Sequence, residues 1–76
     1  MYSYIGRTYY CDDGLPSFHS EFRFEAEDDA QARAMMRGCF FRHGLNPNSA
    51  FYMVRRSRKK PIFALEYGSG AIVDNF

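Results

Sequence analysis

Phe18, Ser20, Phe22, Phe24 and Ala26 alternate with His19, Glu21, Arg23 and Glu25, the period-two signature of a strand with one covered and one wet face. Residues 2–11, rich in Tyr, Ile and Thr, predict a strand before it, and Asp12-Asp13-Gly14-Leu15-Pro16 supplies the turn between the two. In that first strand Tyr2, Tyr4 and Tyr10 face opposite to Ile5, Tyr9 and Cys11, and Gly6 is a candidate bulge.

The period changes after Ala26. Asp28 followed three residues later by Gln31 fits a capping box, and Asp29 adds negative charge to the positive end of a helix predicted over 29–43. At 100° per residue Ala32, Met35, Met36, Cys39 and Phe40 share a stripe that faces the sheet, while Arg33, Arg37 and Arg42 lie off it. Phe41 lies about 180° from the stripe, which predicts packing beneath the 46–49 loop. Gly44 stops the helix, and Asn46-Pro47-Asn48-Ser49 forms the connection.

Two more apolar runs, 51–56 and 62–67, predict a second hairpin, with Pro61 where a ladder N–H is expendable. Gly68-Ser69-Gly70 then loosens the chain, and Ala71-Ile72-Val73 is apolar enough to dock at an edge. The order β-β-α-β-β predicts an α+β fold: a four-stranded, mainly antiparallel sheet with one helix on one face and a short fifth strand at 71–73. With the helix over Phe18, Phe22 and Phe24, the residues His19, Glu21, Arg23 and Glu25 and part of the first strand are left on an open face. At 76 residues the chain has room for one domain, 1–76, and its 46% hydrophobic and 18% aromatic content excludes a disordered class.

Charge sharpens the picture. Net charge is only +1, yet residues 1–38 carry four basic and seven acidic side chains and residues 39–76 six basic and two acidic. Half of the ten Lys and Arg residues fall in Arg55-Arg56-Ser57-Arg58-Lys59-Lys60, at the tip of the second hairpin. Like charges at that density repel one another unless something anionic neutralises them, so Arg55, Arg56, Arg58, Lys59 and Lys60 are the candidate partner-binding residues. Tyr2 and Tyr4 join them as aromatic anchors with little rotamer entropy to lose. A solvated turn whose charges deter edge aggregation is the plain alternative.

Other chemistry is thin. The only soft ligands are His19, His43, Cys11 and Cys39, with no zinc-site spacing, and Cys39 reads as a small buried hydrophobe. Glu21, Arg23 and Glu25 read as an exposed ion-pair ladder rather than acid–base machinery. With no Walker loop, dinucleotide glycine fingerprint, nucleophile elbow or H-E-x-x-H helix, the expectation is a protein that is not an enzyme and uses no cofactor or metal. No apolar run approaches the roughly 20 residues that span a bilayer, and two cysteines without a disulfide framework point to a reduced cytoplasm and no membrane association.

The element order, the length, the helix opening Glu27-Asp28-Asp29-Ala30-Gln31-Ala32-Arg33-Ala34 and the charged second hairpin resemble small proteins of phages and mobile elements, among them anti-CRISPR proteins. That resemblance implies a stoichiometric inhibitor in the host cell cytoplasm. It would bind a protein subunit of a nucleic-acid-handling complex and block nucleic-acid access, through Arg55, Arg56, Arg58, Lys59 and Lys60 with Tyr2 and Tyr4. The near-neutral charge departs from the acidic nucleic-acid mimics of that group and favours direct protein, DNA or RNA contact. Two alternatives stand beside it: a nucleic-acid-binding module acting alone through the basic tip, and a structural protein that self-associates through a sheet edge or Phe41.

Overall fold

The computed structural model describes residues 1–12 and 15–73. Its elements run β1 (Tyr2–Asp12), β2 (Leu15–Ala26), α1 (Asp29–Arg42), β3 (Ala50–Arg56) and β4 (Ile62–Tyr67). They form one antiparallel sheet in the order β2-β1-β3-β4 with the helix on one face, the predicted α+β arrangement. The part of the first turn at residues 13 and 14 lies outside the described residues. The 71–73 segment docks on β4 through a bridge between Ile72 and Glu66.

Because β2 and β3 both run antiparallel to β1, they are parallel to each other, and α1 is the crossover that joins them over the top of β1. That geometry explains Gly6. A Cβ there would sit 2.4 Å from Met36 Sδ, so glycine is what lets the helix lie on the central strand. The predicted bulge at Gly6 is absent. The irregularity falls two residues later, where Thr8 pairs with Ser20 and Tyr9 with Phe18, leaving His19 as the extra residue on β2.

The helix starts as its sequence dictates. Asp28 Oδ1 accepts from the Gln31 N–H at 2.8 Å, and Gln31 Oε1 reaches back to the Glu27 N–H at 2.7 Å, one residue further than the standard box. It ends with His43 as C-cap, its N–H on the Cys39 carbonyl, and with Gly44 at φ 69°, a conformation that favours glycine. Ala32, Met36 and Phe40 are buried against Tyr4, Ala26, Tyr52 and Val54. Met35, assigned to the same stripe, is exposed at its margin. Phe41 is exposed too, edge-on to Phe40, so it is not covered by the 46–49 loop as predicted.

The bulge at His19 overturns the predicted face of one phenylalanine. The extra residue reverses the alternation, so Phe22 and Phe24 pack on the helix-side core while Phe18 turns to the opposite face and is 62% exposed. His19 moves the other way: its Nδ1 lies 3.0 Å from Thr8 Oγ1 and its ring meets Tyr10 edge-on.

The face away from the helix is therefore less polar than the pattern implies. Phe18, Tyr9, Phe51 and Tyr67 sit in register across all four strands, with successive ring centroids 6.0, 5.1 and 5.8 Å apart. Phe51, between Tyr9 and Tyr67, is buried, as are Ile5 and Met53 in the neighbouring registers. The central strand β3 thus has both faces covered from Phe51 through Val54, which its unbroken apolar run already required.

Candidate functional site

The basic segment forms the turn between β3 and β4, beside the start of β1 and the N-terminus of α1. The Ser57 N–H donates to the Ser3 carbonyl at 3.0 Å, which pins the turn to the first strand. Arg55 does not point away from the protein as a free charge: its Nη1 donates toward the carbonyls of Arg56, Ser57 and Lys59 at 3.2 to 3.4 Å. The guanidinium braces the loop from within, a role that its several fixed donors suit.

Arg56 is also engaged. Its Nε donates to Asp29 Oδ1 at 2.9 Å, and its guanidinium carbon lies 3.9 Å from the centroid of the Tyr2 ring. The Tyr4 hydroxyl donates to the same Asp29 oxygen at 2.8 Å. These two hydrogen bonds hold the Asp29 carboxyl below the usual aspartate range, and the carboxylate in turn raises Arg56. Burial, reinforced by the carboxylate, pushes the Tyr4 hydroxyl above an ordinary phenol.

Tyr4 must therefore leave the list of surface anchors. It is 1% exposed, stacked on Phe24 and edge-on to Phe63, because its position in β1 faces the helix. Tyr2 remains exposed, beneath Arg56. Of the five cations, Arg58, Lys59 and Lys60 are fully on the surface. Together with Met1, Tyr2 and Ser3, the turn borders a shallow depression of about 400 Å³. The structure thus divides the cluster into two residues that build the turn and three that it presents.

A polar group inside the domain was missed by sequence reasoning. Glu66, on the helix-facing side of β4 with Ala64, accepts from Arg33 Nε and Nη2 at 2.6 and 2.8 Å, and the Tyr52 hydroxyl donates to it as well. Arg33 chiefly, then Tyr52, holds the Glu66 carboxyl below its ordinary value despite burial. Burial first and Glu66 second push the Tyr52 hydroxyl up to about 12. The signal was available: an acid two residues from Ala64 on an inward face needs a cation, and the helix offers Arg33. This group ties α1 to β3 and β4, and its three side chains complete one another.

The remaining candidates have structural positions. Glu21 accepts from Arg7 across the strands at 2.8 Å and lies 3.4 Å from Arg23, and Arg7 lowers its carboxyl, while Glu25, expected in the same ladder, joins no ion pair among the described residues. Cys11 and Cys39 are free thiols, half-buried. Among the described residues no three His, Cys, Asp or Glu side chains converge as a metal site, and no helix is long and apolar enough to cross a membrane.

No protein-family model matches the chain, and neither a curated protein nor a solved structure does. The class defined by the geometry is a four-stranded α+β domain with a braced cationic turn.

Proposed function

We propose that this chain is a non-catalytic binding protein, a small inhibitor of the anti-CRISPR type that docks on a protein subunit of a nucleic-acid-handling complex and blocks nucleic-acid access. The observation that carries this reading is the division of labour in the turn. Arg55 and Arg56 fix the backbone, and Arg58, Lys59 and Lys60 extend from it with a common charge. A braced turn loses little conformational freedom on docking, and its field attracts a surface of opposite sign. Such a surface is available where a nucleic-acid-handling protein exposes acidic residues or bound phosphates. In this reading the protein acts in the cytoplasm of a host cell.

The aromatic row favours this reading over base stacking by a solitary nucleic-acid module. The Tyr9 and Phe51 rings lie nearly parallel, 15° apart, so their facing sides are occupied by each other.

The test adds the purified chain to RNA-guided complexes of several types and measures target DNA binding. Loss of binding is expected with at least one complex, restored by Arg58→Glu/Lys59→Glu/Lys60→Glu. Undiminished DNA binding throughout rejects the inhibitor. If the chain instead binds free oligonucleotides, with log K falling by about 0.9 per phosphate contacted as log salt rises, the solitary module replaces it.

A further inference from the structure

The sheet has two edges of different character. At β4 the 71–73 segment occupies the edge, with the Tyr67 N–H on the Ala71 carbonyl at 2.9 Å and the Val73 N–H on the Leu65 carbonyl at 3.4 Å. Among the described residues the β2 edge carries no such segment. From residue 20 to residue 26 it contains no Pro and no bulge, and the charges that guard it, on Glu21, Arg23 and Glu25, are of both signs.

Backbone directions on this edge follow from two hydrogen bonds. The Ser57 N–H donates to Ser3, and the Cys11 N–H donates to Ser49, so odd-numbered residues of β1 direct their backbone groups toward β3. Even-numbered residues of β1 then face β2, and through the pairs Gly6 with Phe22 and Tyr4 with Phe24 they engage the even-numbered residues of β2. Glu21, Arg23 and Glu25 are left with N–H and C=O groups pointing outward. Any strand that adds here must bond to these three residues.

Charge then selects the occupant. If β2 pairs antiparallel with β2 of a second copy, outward residues must face outward residues, which permits few registers. With the two-fold axis at Phe22, Glu21 faces the other copy's Arg23, twice. With the axis at Arg23, that arginine faces itself and Glu21 faces Glu25; with the axis at Glu21, that glutamate faces itself. With the axis at Phe24, Arg23 faces Glu25 but Glu21 faces Glu27, a like pair, each twice. Of these, the Phe22 register is the one that sets opposite charges face to face and brings no like pair together. It also places the two Phe22 rings side by side on the helix face. A groove of about 280 Å³ between β2 and α1 is lined there by Phe22, Phe24, Met35 and Cys39 together with Arg23 and Arg42.

We infer that the free edge of β2 joins β2 of a second copy of this chain, with Phe22 at the two-fold axis, making one continuous eight-stranded sheet with both helices on the same face. The pairing is independent of the basic turn, so its failure leaves the proposed function standing.

Sedimentation equilibrium over a wide concentration range tests it. The unaltered chain is expected to show a monomer–dimer equilibrium. Arg23→Glu, which sets Glu against Glu, should raise the dissociation constant at least about 10-fold, a change of about 1.4 kcal/mol. The double exchange Glu21→Arg/Arg23→Glu should restore dimerisation in this register, whereas with the axis at Phe24 it brings glutamates at positions 23 and 25 together. It gives up the Arg7–Glu21 contact, an exposed pair that the fold can lose. Arg23→Pro provides a second route, since its N–H points away from β1 and is used only by the partner. It should give a folded monomer, checked by thermal unfolding. A monomeric unaltered chain at all concentrations, an Arg23→Glu variant that dimerises unchanged, or a folded double exchange that stays monomeric overturns the inference.

Discussion

Replacing Gly6 with alanine measures how closely the helix is held on the central strand. The added Cβ would stand 2.4 Å from Met36 Sδ, 3.0 Å from its Cε and 3.2 Å from its Cγ. Contact distances for such atoms are about 3.5–4.0 Å, so the thioether must retreat by more than about 1 Å. Met36 is 1% exposed and has no solvent to retreat into. Overpacking of this kind costs about 1–3 kcal/mol, against a gain of about 0.5–1 kcal/mol from replacing glycine within a strand. The difference spans about 0–2.5 kcal/mol, and an overlap this deep places the expected net destabilisation at about 1–2 kcal/mol, with each kcal/mol lowering Tm by roughly 4–8 °C in a domain this small. Met36→Ala alone opens a cavity and costs about 2–5 kcal/mol. In the double variant the new methyl group occupies space vacated by the thioether, so the combined cost should fall short of the sum by at least about 1 kcal/mol, outside the roughly 0.3–0.5 kcal/mol scatter of independent sites. Urea unfolding, with an unchanged m value for each variant, supplies the four free energies. Additive costs, or a Gly6→Ala variant as stable as the parent, would refute the close approach as the reason for glycine.

Three further outcomes follow from the hydrogen bonds. Asp28→Ala removes the acceptor for the Gln31 N–H and should cost about 0.5–2 kcal/mol by thermal unfolding; no loss would mean that the cap contributes nothing. Because the Glu66 carboxyl is depressed in the folded state, its stabilisation is present above the ordinary carboxylate range and lost as pH falls through the folded value. Glu66→Gln should therefore lower stability at neutral pH and flatten the acid limb of the stability profile. Tyr52, raised to about 12, works in the opposite direction, losing its contribution as pH climbs from about 10, the ordinary phenol value, toward that figure. Tyr52→Phe should soften the alkaline limb, and profiles unchanged in both variants would reject the linkage.

The element order, the helix cap and the apolar stripe were legible because each rests on local periodicity or on residues a few positions apart. Phe18 was not, since one extra residue at His19 reverses a face without leaving a mark in the alternating pattern. The same limit applied to the basic cluster. Counting cations located the turn, but whether Arg55 bonds the carbonyls beside it and whether Arg56 meets Asp29 depend on the path of the loop and on a helix end 27 positions away. Tyr4 was read as an anchor because nothing in the pattern distinguished it from Tyr2. Its burial follows from the crossover, which lays α1 over β1 and gives that tyrosine Asp29 as a partner.

The docking of residues 71–73 along β4 has a consequence for growth. A sheet open at both borders propagates without limit, copy after copy, into a fibre. Here one border is already occupied by the chain's own tail over the Leu65 to Tyr67 stretch, so association through the other is self-limiting. Deleting that short tail segment is how a discrete assembly of this protein would become an open-ended one.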